Sequence, residues 1–231
     1  GGLVTVQPYH RMERAWERLS AVFNIIVPAG NNAFTPLGDR LRPMGAFGPC
    51  ILCAREDYFD VGGHEGAQGE ILESIGLGRA FLEAGHRVLC YGGRGVLAVR
   101  MYGNGLRAML EGFSKGFSIG AVAVSPLVLA MIVCWVFGCV SLTRHLVQSA
   151  VLGEGVPLAL WAGLYLLYAA QFHWMLRRIG NFGLWPALLF PVPVLFFVLV
   201  FALSLIKTAF LREARWKGRT VSTQGGGGAS P

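Results

Sequence analysis

The chain has 231 residues, of which 54% are hydrophobic and only 14% charged, with a net charge of +7. A soluble domain carries nearer a quarter charged residues, so this composition excludes an ordinary all-soluble chain. The charge is no footprint of nucleic acid either: 11 of the 13 acidic residues lie in 1–118, and the basic excess sits in 119–231 beside apolar runs, with no aromatic–basic ladder or recognition motif.

The first half reads as a soluble α/β segment and the second as membrane with basic flanks. "GGLVTVQP" opens the chain as a strand. There is no start methionine, signal peptide or targeting arm, and so abrupt an opening reads as that of a fragment. "MERAWERLSAVFNIIV" has helical spacing: Trp16, Leu19, Phe23 and Ile26 form one stripe, with Glu13, Arg14 and Glu17 outside it. A loop rich in Gly, Pro and Asn comes next, over 28–48. "PCILCA" is an apolar strand carrying Cys50 and Cys53. Residues three apart on a strand face opposite ways, a poor chelate, so these are structural thiols in a reducing compartment. "REDYFDVGG" is a short helix ended by glycine.

Residues 69–84 form the next helix, with Gly85 as its C′ residue. Ile71, Ile75 and Leu82 share a face, while Glu73 stands almost opposite, above Leu77, Ala80 and Ala84. Such a helix is covered on two sides. Glu73 then has two readings: a solvated or capping carboxylate at the positive end of the helix dipole, or an anion at the mouth of a site. "HRVLCYGG" and "GVLAVRMY" are strands, with "YGGRG" a turn that matches neither phosphate-binding pattern. "GLRAMLEGFSKGFS" is an amphipathic helix. Strands alternating with helices give an α/β sheet, with too few strands for a complete one.

From 119 the character changes. Residues 119–142 and 156–176 carry no Asp, Glu, Lys or Arg and are long enough to span a bilayer. The third such run, 182–206, contains Pro186, Pro191 and Pro193, so it is either a spanning helix or a broken, re-entrant segment. Arg177 and Arg178 come after the second run. Lys207, Arg212, Arg215, Lys217 and Arg219 begin a tail, 207–231, that ends rich in glycine. By the excess of Lys and Arg, the folded half and this tail belong on the cytoplasmic side of a cell membrane, with 143–155 outside. That favours two crossings and a dip over three crossings. His173 in the second run suits helix packing better than a proton relay. No DxD, GxSxG or metal-type His pair occurs.

Longer stretches carry more. "VQPYH", "LSAVFNII", "GAFGPCILC", "YFDVGGHE", "GEILES", "CYGGRGVLAVRMY", "EGFSKGF" and "ARWKGR" occur in this order. As an ordered set they resemble the C-terminal part of family-2 glycosyltransferases. The likeness is greatest to the carotenoid-acid branch, the 4,4′-diaponeurosporenoate glycosyltransferases.

The resemblance implies part of a GT-A nucleotide-diphospho-sugar transferase domain, 1–118, followed by an α-helical membrane region, 119–206. It implies inverting transfer of a sugar from a nucleotide-diphosphate donor to a lipid-soluble acceptor, here a carotenoid carboxylic acid. Polyprenyl phosphate or another lipid is the rival acceptor, and a divergent, non-catalytic membrane protein is the rival class. A divalent metal, Mg or Mn, is expected for the complete enzyme, with its ligands outside this chain.

Carried over residue by residue, "GEILES" aligns with a pattern ending in Glu-Asp, whose Asp is the general base. Glu73 is in place, but Ser74 stands where that Asp would be. "EGFSK" brings Glu111, Phe113 and Lys115 to the substrates, with Phe113 where Trp is usual. His64 and Glu65 close a loop on the acceptor side. Gly48 and Pro49 let backbone approach the sugar.

Overall fold

The computed structural model describes residues 1–65, 72–153, 157–211, 213–216 and 219–222. Within these, the side chains of 39, 115, 116, 118, 119, 122 and all residues from 207 onward are left undescribed.

Strand β1, Gly2–Gln7, is explained by its alternation: Leu3, Thr5 and Gln7 are buried on one face. It is the centre of a three-stranded sheet. On one side β3, Ile51–Cys53, runs antiparallel, with Leu3 opposite Cys53; on the other β4, Arg87–Gly92, runs parallel, with Gly2 opposite Arg87. β2, Tyr9–His10, pairs in parallel with β5, Ala98–Val99. Between these strands lie α1, Ala21–Gly30, α2, Arg55–Asp60, and α3, Glu73–Glu83. Helix α3 covers the sheet: Leu77 and Phe81 pack with Leu3, Ala46 and Val88 in a small core. Gly85 takes the expected left-handed conformation just past its end, with φ of 82°.

Five further helices complete the described helical part: α4, Leu106–Ala123, α5, Pro126–Leu152, α6, Leu158–Ile179, α7, Trp185–Leu188, and α8, Pro191–Leu211. A hairpin of β6, Glu213–Trp216, and β7, Arg219–Ser222, ends the described chain. The larger core lies among these helices and α1, where Phe23 contacts Phe113, Phe117 and Phe197.

The structure departs from the sequence reading in several places. The stretch 12–27 is not one helix; a 3₁₀ turn, Ala15–Ser20, precedes α1. There the Glu17 carboxylate folds back onto the N–H groups of Glu13 and Arg14, at 2.6 and 3.0 Å. Glu17, expected on the outer side, is therefore buried, where it meets Arg100 at 2.7 Å. Opposing effects set its pKa. Burial works to raise it, but the Arg14 N–H, the Arg100 guanidinium and the Glu13 N–H together hold it below the ordinary value.

The uncharged run 119–142 is also not one helix. Its first residues finish α4, and α5 starts at Pro126, capped by the Ser125 hydroxyl. The expected loop at 143–155 is helical up to Leu152, and Gly153 in the left-handed region ends it. The boundary expected at 118 falls inside α4. Among the described residues, α5 is the one helix long and apolar enough to cross a membrane. Helix α6 falls short because Gln171, His173 and its tyrosines dilute its apolar side chains. The run 182–206, open between a spanning helix and a broken segment, is interrupted before α8. Pro186 opens α7, while Pro191 and Pro193 sit in the first turn of α8, where missing N–H groups cost little.

Candidate functional site

The site is assembled around Thr5. Its hydroxyl accepts from the Phe47 N–H at 2.8 Å and lies 2.9 Å from the carbonyl oxygens of Phe47 and Cys50. One buried hydroxyl thus pins the loop that carries Gly48 and Pro49 against the sheet. The same loop is stitched to α3: the Ala46 N–H donates to the Ser74 carbonyl at 3.3 Å. A Cβ on Gly48 would stand 3.3 Å from the Ser74 hydroxyl, so the two residues face each other.

Beneath them lies a cavity of about 630 Å³ between the sheet unit and helices α4, α5 and α8. Gly48, Pro49 and Ser74 line one end, with Gln7 and Asn24. Phe113 lines the floor, stacked on Phe23 at 4.1 Å between ring centres. The rest of the wall is aliphatic and aromatic. Val133, Phe137 and Val140 of α5 and Val198 of α8 belong to it, yet they are 58, 70, 49 and 41% exposed. The cavity therefore continues into an exposed apolar surface at one side. A polar end leading to a long apolar wall suits an amphiphile.

Four of the expected site residues, Gly48, Pro49, Ser74 and Phe113, converge here. The others do not. Leu72 and Ser74 both line the cavity, but Glu73 between them is exposed in the first turn of α3, pointing elsewhere. His64 is exposed and 2.7 Å from the Tyr58 hydroxyl, away from the cavity. Glu65 is exposed. Glu111 lies on the outer face of α4, paired with Arg107 at 3.0 Å. The backbone of Lys115 belongs to α4, but its side chain lies outside the described part of the structure. Ile71 is likewise outside the described residues.

Two polar residues of the cavity escaped the sequence reading, Gln7 and Asn24, and each carried a signal. Asn24 interrupts the apolar run "AVFNIIV" and is buried, donating to the Ser20 carbonyl and hydroxyl at 3.1 and 2.9 Å. Gln7 shares the inward face of β1 with Leu3 and Thr5 and is 7% exposed. Buried polar groups of this kind are held by partners, and their placement is specific. Among the described residues, no three side chains of His, Cys, Asp or Glu converge where they could hold a metal ion. None of the five cysteines is disulfide-bonded.

No protein-family model matches the chain, and no solved structure matches it. Curated relatives do. The enzymes named 4,4′-diaponeurosporenoate glycosyltransferase in Staphylococcus aureus strains USA300, Newman and COL are each 35% identical to it over 221 residues. That alignment takes in 96% of this chain and 59% of each relative, so the chain spans less than two thirds of their length. Along nearly its whole length, the chain is similar to part of the 4,4′-diaponeurosporenoate glycosyltransferases.

Proposed function

We propose that this chain is the acceptor-binding part of a membrane-bound, inverting glycosyltransferase. The donor is a nucleotide-diphosphate sugar and the acceptor a lipid-soluble carotenoid carboxylic acid. The observation that carries this reading is the cavity: its end is built from Gly48, Pro49 and Ser74, and its wall runs into the exposed apolar face of α5 and α8. The likeness to enzymes named for a carotenoid carboxylate supports it.

The chemistry fits the residue at 74. An acceptor oxygen attacks the anomeric carbon while the bond from that carbon to the diphosphate breaks, and the nucleoside diphosphate leaves with the electron pair. An alcohol must lose a proton on the way, which calls for a general base. A carboxylic acid has a pKa of about 4 and arrives already ionised. It needs orientation rather than deprotonation, so serine at position 74 is tolerable. In the complete enzyme, a divalent metal held by residues outside this chain would offset the charge of the leaving diphosphate.

The complete enzyme with Ser74 or Ser74→Asp, assayed on acid and alcohol acceptors, tests this. Restoring the carboxylate should raise alcohol turnover by about 10²–10⁴ and leave acids unchanged or slower. A large, equal gain on both would mean that the base is needed regardless. That outcome would favour the second reading, a weakened or non-catalytic copy of the fold, for which the absence of any acidic residue from the described cavity lining already speaks.

A further inference from the structure

We propose that the Gln7 carboxamide, held in place by His10, binds the acceptor's carboxylate at the head of the cavity. This rests on the function proposed above. Gln7 is the last residue of β1, and its own carbonyl accepts from the Gly93 N–H at 2.7 Å, so its backbone is fixed. Its nearly buried side chain reaches the cavity wall, and its amide nitrogen is placed 3.1 Å from Nε2 of His10. His10 has no exposed surface, and its Nδ1 has no hydrogen-bond partner.

As placed, that contact of Gln7 with His10 needs a bare Nε2 and the ring proton on Nδ1. Burial pulls the His10 pKa down from 6.5 to about 4, so at neutral pH the ring carries a single N–H. A proton on Nδ1 would leave a buried N–H orphaned, which is rare in folded proteins. We therefore put the proton on Nε2 and turn the amide over, so that the ring N–H donates to the Gln7 oxygen. The Gln7 NH₂ group, with two donors, is left for the cavity. Which end of an amide points where is decided by such a network.

A carboxylate in an apolar cavity needs donors. Asn24 cannot serve, because its NH₂ group is spent on Ser20. Ser74 offers one hydroxyl. Neither arginine nor lysine is among the described residues of the lining. Among the described residues of the lining, Gln7 is the side chain left with two donors.

The test uses the full-length protein in detergent. A long polyene carboxylic acid and its methyl ester are titrated while tryptophan fluorescence is followed. The wild type should bind the acid at least about tenfold more tightly than the ester, since a charged hydrogen bond adds at least about 1.4 kcal/mol. Gln7→Leu should erase that preference and leave the ester affinity unchanged. Gln7→Glu, of the same shape, should reverse it in favour of the ester. His10→Leu should weaken the preference, and His10→Gln, which restores a donor near the place of Nε2, should recover it. Acid preference surviving in both Gln7 variants overturns the assignment. So does an equal loss of acid and ester, which marks a packing role. A wild type that binds neither ligand overturns the apolar-acceptor reading above and this inference with it.

Discussion

A histidine with no exposed surface is a pH liability wherever it sits. For His10 the unfolded chain takes up a proton near pH 6.5, while the folded chain takes it up only near pH 4. As pH falls through that window the unfolded state binds more protons, so folding stability drops; as pH rises from 4 to 6.5 it is regained. The shift corresponds to about 3 kcal/mol. Thermal unfolding of the full-length protein in detergent, measured from pH 7 to pH 4, should show this loss, and His10→Leu should flatten it. Glu17 acts lower on the scale. Its folded pKa is depressed, so its contribution holds above about 4.5 and fades only as pH falls through the depressed value. At this scale the sequence was legible where a backbone demand spoke, as at Gly85. It was silent where a side chain's direction depended on a distant partner. Glu17 looked like an outward carboxylate because Arg100, 83 positions away, was invisible to a helical wheel.

Elements were legible by type more than by extent. Strands β1, β3, β4 and β5 and helix α3 lie within stretches that the sequence marked, the apolar runs are helical with other bounds, and β2, β6 and β7 were not foreseen. The split of the run 119–142 at Ser125–Pro126 was written in "VSPL", since proline pushes the preceding residue out of the helical region and serine caps the helix that begins there. Hydropathy alone does not see that signal, because neither residue is charged. Helix α3 shows what periodicity cannot give at all, the distance of closest approach. A Cβ on Gly78 would collide with the backbone at Gly45 and Ala46, the root of the loop that carries Gly48 and Pro49. Gly78→Ala, normally favourable within a helix, should instead push α3 off the sheet. We expect a loss of about 1–3 kcal/mol, read as a lower unfolding midpoint. Acceptor binding should weaken with it, because Ser74 moves with the helix. Gly163→Ala in α6, where nothing lies within 4 Å of the added carbon, is the control and should be neutral or stabilising.

For the whole molecule, the issue is how the apolar helices meet a bilayer. Helix α5 is apolar over most of its length and mostly unburied, whereas α8 packs along α4 and the 3₁₀ turn at 15–20, elements of the sheet-bearing half. A helix so embraced suits a segment that dips toward the membrane and returns, and the Lys and Arg of the tail favour the cytoplasmic side. We predict that Ala214→Cys, in a background with the five native cysteines replaced, resists an impermeant thiol reagent added from outside. Labelling there would mean three full crossings.

The cavity's open flank has a further consequence under this placement. If the acceptor is the polyene acid proposed above, Phe137 and its neighbours on α5 face the medium in which it dissolves. The acceptor then reaches its site by diffusion in a plane, and its working concentration is a mole fraction of the surrounding lipid. Saturation is set by how crowded the leaflet is with acceptor, so a cell can throttle the reaction by growing more membrane without changing the amount of either reactant.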